Sequence, residues 1–207
     1  MKKILIIILL ILPVVLSAQR FNGGVLLGLS ASQVDGDTYA GFDKVGLQGG
    51  VFVNTKFSDA WGTQMEIKYN AKGARKKTSE SSPETYSLTL HYIDIPIMVN
   101  YTIQEKYIID AGLVPGYLFS KKGEENGIDF VDEEISAFKN FDLSWLIGFN
   151  YKISDNFIAN LRYSYSLFSI RDYENVDSNY SIIAQILGYT TGDYNNYLTM
   201  GIYFQFD

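Results

Sequence analysis

No cysteine occurs anywhere in the chain. That excludes a disulfide framework, a thiolate metal site and acylation of an N-terminal cysteine, so the chain is not a lipoprotein. Histidine occurs once, as His91, which excludes a multi-histidine zinc site. Proline is scarce, with 4 residues, and no low-complexity tract divides the sequence, so one domain is expected. Basic residues are outnumbered 23 to 17, giving a formal charge of -6 and excluding nucleic acid as a partner. Long apolar runs are also missing after the first residues. The run Ile4–Leu16 falls short of the roughly 20 residues a spanning helix needs. Lys2 and Lys3 before it and Ser17-Ala18 after it mark a secretory signal peptide over 1–18, leaving 19–207 as the exported domain.

What the chain does have is alternation. From Trp61 to Gly73, Trp61, Thr63, Met65, Ile67, Tyr69 and Ala71 alternate with Gly62, Gln64, Glu66, Lys68, Asn70 and Lys72. Phe141 to Ser154 repeats the design, with Phe141, Leu143, Trp145, Ile147, Phe149, Tyr151 and Ile153 on one face. Period two is the signature of strands. The same reading places further strands near 22–31, 45–57, 86–103, 107–120, 157–169 and 195–206, about eight in all. Short links at 57–61, 103–107 and 153–157 alternate with long ones near 32–44, 74–85, 121–140 and 170–194.

That rhythm predicts an all-β, closed antiparallel up-and-down transmembrane barrel of about eight strands, in the manner of OmpA and OmpX. Both termini and the short turns are expected in the periplasm, the long loops outside the cell. Aromatics at both ends of the apolar stripes fit interfacial girdles: Phe57, Trp61, Tyr101, Tyr107, Tyr151 and Phe157 at one level, Tyr69, Tyr117, Phe119, Phe141, Tyr163 and Tyr165 at the other. A sheet in hydrocarbon must close on itself to satisfy its backbone. An eight-stranded lumen has room for little but side chains, so inward charges are expected to pair across it. The predicted polar network is Glu66, Lys68, His91, Asp94, Asp110, Asp142, Lys152 and Arg162, in a plugged barrel. One segment breaks step: Tyr86, Leu88, Leu90 and Tyr92 are apolar at even positions, Ile93, Ile95, Ile97, Val99 and Tyr101 at odd ones. A bulge near Tyr92-Ile93 is expected to restore facing, with His91, Ser87 and Thr89 inward. Pro96 should then point inward where the ladder is interrupted.

The stretches "YIDIPIMVNY" (92–101), "GLSASQVDGDTYAGFDKVGLQGGVF" (28–52), "QMEIKYNAKGA" (64–74) and "YNNYLTMGIYFQF" (194–206) resemble the PorT-like small outer-membrane β-barrel proteins of Bacteroidota. The resemblance covers essentially the whole exported chain and implies the barrel fold. PorT itself is associated with type IX secretion, so the resemblance carries that process as one candidate role. Phe206 resembles the C-terminal aromatic by which barrel-assembly machinery recognises its clients, although Asp207 follows it.

His91 is the sole candidate base for an enzyme, against which stands its plainer role as a hydrogen-bonded lumen residue. In "QVDGDTYAGFDK" (33–44), Asp35 begins a pattern that would need Gly and Glu where Ala40 and Gly46 stand, so no EF-hand loop is present. Neither a metal nor a cofactor is expected. "YSIIAQILGY" (180–189) places Ile182, Ile183, Ile186 and Leu187 at helix-like spacing within the last outer loop, a candidate protein-partner patch. Outer-membrane lipid and lipopolysaccharide are the other expected partners. The leading function is therefore a non-enzymatic barrel acting through its loops in protein contact, envelope organisation or secretion. A narrow channel or small-ligand conduit is the alternative, and an enzyme using His91 a third.

Overall fold

The computed structural model describes residues 21–37, 41–76, 85–131, 135–171 and 192–206. The predicted signal peptide and the 180–189 patch lie outside the described residues.

Ten strands run in chain order: β1 (Phe21–Asp35), β2 (Lys44–Lys56), β3 (Trp61–Lys76), β4 (Tyr86–Asp94), β5 (Ile97–Ile103), β6 (Tyr107–Glu125), β7 (Ile128–Asp129), β8 (Phe141–Lys152), β9 (Phe157–Ser166) and β10 (Tyr194–Gln205). Every pairing between them is antiparallel. β1 pairs both β2 and β10, β2 pairs β3, and β3 and β6 each pair both β4 and β5. β4 and β5 thus form one stave and β7 is a short outlier on β6, so eight staves close in a ring. Closure leaves the sheet no open edge.

Pro96 accounts for the division of the fourth stave. It lacks an N–H, and the ladder breaks at Ile95-Pro96 without slipping. Asp94 faces Gly116 and Ile97 faces Leu113 on β6, the same register on either side. Ile95 still donates its N–H to the Pro115 carbonyl at 2.8 Å, and the Pro96 carbonyl accepts from Glu66 N–H at 3.0 Å.

The bulge lies elsewhere than expected. Alternation in β4 continues unbroken, with Tyr86, Leu88, Leu90, Tyr92 and Asp94 buried and Ile93 exposed. The register shift falls between His91 and Tyr92, which face Ser120 and Leu118, so the extra residue is Phe119 on β6. The physical reason is that the upper lumen is apolar. Leu88 and Leu90 point in because an apolar plug fills that end, and the polar Ser87, Thr89 and His91 take the outer face.

Outside, the wall carries a continuous apolar band including Leu27, Leu47, Val51, Ile67, Ile97, Ile147 and Met200, all exposed. Exposed aromatics flank it. Trp61 packs on Tyr101 at 4.8 Å and Phe157 on Phe204 at 5.0 Å near the short-turn end, and Trp145 meets Tyr163 at 5.5 Å higher up. About 9–11 residues suffice to cross a bilayer as a strand. β6 has 19 residues, β3 has 16 and β1 has 15, so these staves rise beyond the apolar band at the long-loop end.

Candidate functional site: the barrel lumen

Inward-facing residues stack in layers, because period two sends alternate side chains of every stave into one narrow interior. The lower layer centres on Arg162 of β9. Its Nη1 donates to Glu66 of β3 at 2.7 Å, while Nε and Nη2 donate to Asp110 Oδ2 of β6 at 3.0 and 2.8 Å. β3 and β9 sit four staves apart in the ring of eight, so the side chain of Arg162 crosses the full lumen. Gly148, its neighbour on β8, leaves room for it: a Cβ there would meet Arg162 Cγ at 2.5 Å. Tyr203 of β10 accepts from Arg162 at 2.8 Å and donates to Glu66 at 3.0 Å. Gln64 also donates to Glu66 and Asn100 to Asp110, at 2.7 and 2.6 Å. Lys68 stands 3.8 Å from Glu66 and donates to Gln48 at 3.0 Å.

The second layer centres on Lys72 of β3, whose Nζ lies 3.0 Å from Asp94 and 3.7 Å from Asp142. The same ammonium stands over the rings of Tyr92 and Tyr197, at 4.2 and 4.4 Å from their centroids. Asn70 donates to Asp94, and Ser144 and Asn195 donate to Asp142, at 3.0, 3.1 and 3.0 Å. These charges are held by geometry and counter-charge, since a buried ion without a partner is prohibitively costly. Above them lies the apolar plug of Val34, Ala74, Leu88, Leu90, Leu118, Phe138 and Ile170. A smaller cluster of Met98, Val114 and Leu146 fills the wall between β5, β6 and β8.

The structure therefore brings Glu66, Lys68, Asp110 and Arg162 into one constellation and places Asp94 and Asp142 in the next. Two residues of the predicted network fall outside both. Lys152 lies at the short-turn mouth of the lumen, lining a cavity there. His91 is a correction: it faces outward, where Tyr69 Oη lies 2.6 Å from its Nδ1 and the rings of Tyr69 and Phe119 flank it. Asp94 points inward without any bulge in its own strand. Tyr203 and Asn195 are network members that the sequence reading missed, and Lys72, although read as lying on the polar face, is absent from the predicted set. Lys72 carried a signal, since it continues the inward parity of Glu66, Lys68 and Asn70. Asp35 at the rim is tied to the wall, accepting from Gln33 and Asn196 at 2.5 and 2.9 Å.

A closed ring of eight antiparallel staves with an apolar exterior and a charge-paired interior defines a transmembrane β-barrel. Residues 17–172 match the family described as "Outer membrane protein beta-barrel domain", and the chain belongs to it. The structure is similar to Ail, the attachment invasion locus protein of Yersinia pestis, in complex with the heparin analogue sucrose octasulfate: 14% identity, TM-score 0.52, covering 90% of this chain and 99% of that one. It is also similar to Neisserial surface protein A, at 12% identity and TM-score 0.50, covering 91% and 99%. Likenesses at these identities show the fold alone. No curated protein matches the chain in sequence. The protein is an outer-membrane β-barrel.

Proposed function

We propose that this protein is a non-enzymatic, non-conducting barrel that serves as a rigid membrane mount for its long connections, which contact another envelope protein. The short turns and both termini face the periplasm, and the long connections face outward. One observation carries the reading: the lumen is crossed by the Arg162 side chain, crossed again at Lys72, and capped by the apolar plug. Water-filled channels need a polar path, and Leu88 and Leu90 at the top of this lumen are fully buried. Staves that outrun the bilayer support the second half of the reading, because they hold the long connections clear of the lipid headgroups.

Ail was crystallised with a sulfated heparin analogue. An equivalent ligand is disfavoured here by Glu124, Glu125 and Asp129, which make the hairpin of β6 and β7 acidic. A protein partner fits better, docking on the Ile182, Ile183, Ile186 and Leu187 patch, and support of a secretion machine of the type IX kind is one form that contact takes. Insertion would proceed through barrel-assembly machinery, with Phe206 as the terminal aromatic.

Planar-bilayer recording of the purified barrel tests the reading. Silence is the expected result, and stable unitary steps from the wild-type protein would overturn it. Capture of an envelope protein that is lost in the Ile182→Asp, Ile186→Asp double variant is the companion result, and equal capture by wild type and variant would remove the patch from the reading.

A further inference from the structure

Below the Arg162 layer the lumen is open. A cavity of about 250 Å³ occupies the short-turn end, and a wider one of about 590 Å³ lies at its mouth. Lys56 and Lys152 line both. They come from β2 and β8, four staves apart, and so face each other across the opening. The inner cavity ends blindly at Gln64 and Tyr203, whose far atoms bond Glu66 and Arg162.

Its lining is unlike the rest of the molecule. The chain has 23 acidic residues against 17 basic ones, yet among the described residues the inner wall contains two lysines, six carboxamides, three threonines and no carboxylate. The carboxamides are oriented as well as numerous. Asn22 donates to the Asn54 oxygen at 3.2 Å, and Asn54 donates to the Gln205 oxygen at 3.1 Å. Asn160 donates to the Asn150 oxygen at 2.5 Å. Three amide oxygens are thereby occupied by neighbouring N–H groups. An amide nitrogen carries two hydrogens, and lysine offers donors with no acceptor. Five of the six carboxamide nitrogens also donate to protein partners. The bias of this wall toward an anion therefore rests on the two lysines at the entrance and on the lack of a lining carboxylate, with the remaining amide hydrogens available to assist. Asp59 and Glu105 line the wider mouth but not the inner cavity.

We infer that this vestibule is a binding site for a small, polar anion bearing a carboxylate or phosphate, taken up from the short-turn side of the barrel and held against the Arg162 layer. The volume corresponds to about eight waters at roughly 30 Å³ each, which suits a solute up to the size of a sugar acid. Lys56 and Lys152 clamp the charged group, and the carboxamides donate to it and to any hydroxyls. The inference is independent of what the long connections contact.

The test uses the full-length mature barrel in zwitterionic micelles, with side-chain amide resonances followed by NMR during titration. Glucuronate, inorganic phosphate, glucose and glucosamine are the four probes. Glucuronate or phosphate should shift the Asn54, Gln205 and Gln64 amides saturably, and whichever responds assigns the group as carboxylate or phosphate. In the Lys56→Gln, Lys152→Gln double variant the affinity should fall about tenfold, and in Lys122→Gln, a charge change at the other end, it should hold. Equal shifts with glucosamine, no saturable shift with either anion, or undiminished affinity in the double variant would overturn the site. Because the chain lacks cysteine, Thr102→Cys supplies an independent readout. An anionic thiosulfonate should modify it faster than a cationic one in the Lys56, Lys152 background, and the preference should vanish in the double variant. A preference for the cationic reagent would overturn the inference even if a variant folded poorly.

Discussion

Replacing Arg162 by leucine removes the group that neutralises the buried Glu66 and Asp110 at once. Four hydrogen bonds disappear, to Glu66, to Tyr203 and twice to Asp110. At about 1.5–3 kcal/mol for each bond to a charged group, the sum would be about 6–12 kcal/mol. That sum is too large, because the bonds share one side chain and are not additive. Breaking a buried pair from one side costs about 3–5 kcal/mol, chiefly by stranding the other charge. Glu66 keeps Lys68 at 3.8 Å and its bond from Gln64, and Asp110 keeps its bond from Asn100. The expected loss is therefore about 4 kcal/mol in reversible urea unfolding of the barrel, followed by heat-modifiable gel migration and tryptophan fluorescence. If stranded charge is the cause, the Glu66→Gln, Asp110→Asn, Arg162→Leu triple variant should recover more than half of it. A loss under about 1 kcal/mol in Arg162→Leu, or a triple variant no more stable than the single one, would refute the reasoning.

Deleting Phe119 should be tolerated, with a change within about 1 kcal/mol, because removing the extra residue of the bulge keeps Leu118 and Lys121 on their present faces. Deleting Leu113 from the same stave should instead abolish folding into detergent, since it would turn every residue on one side of the deletion to the wrong face. His91→Ala should cost about 1 kcal/mol, the worth of one partly buried hydrogen bond to Tyr69. Any hydrolytic activity that vanished in this variant would count against the non-enzymatic reading. Leu90→Ala should destabilise by about 2–4 kcal/mol in the same urea assay through the cavity it leaves in the plug.

Particular residues show where the sequence was legible. Trp61–Gly73 and Phe141–Ser154 announced both their strand character and their inward charges, because period two is a local property of the backbone and the membrane accepts only one polar face. The turns at 57–61, 103–107 and 153–157 were legible for the same reason. The β6–β7 hairpin was legible but passed over: Glu125-Asn126-Gly127-Ile128 contains the Asn-Gly pair of a tight turn, and both central residues have positive φ, 52° and 80°. His91 and the bulge were misplaced through one assumption, that every apolar residue on a stave faces lipid. Tyr86, Leu88, Leu90 and Tyr92 break that assumption at the top of the barrel.

The sequence by itself determined the class of fold, the number of staves and the inward parity of Glu66, Lys68, Asp110, Asp142 and Arg162, since each follows from spacing along one strand. Only the tertiary structure decided which charges meet. Arg162 and Glu66 are 96 residues apart in the chain, and closure of the ring alone brings their strands to opposite sides of a lumen that one guanidinium can cross. It also decided that the upper lumen is apolar and the lower one a polar vestibule with two lysines at its entrance. Alternation tells a residue to turn inward, whereas the staves stacked around it at the same height set what it finds there.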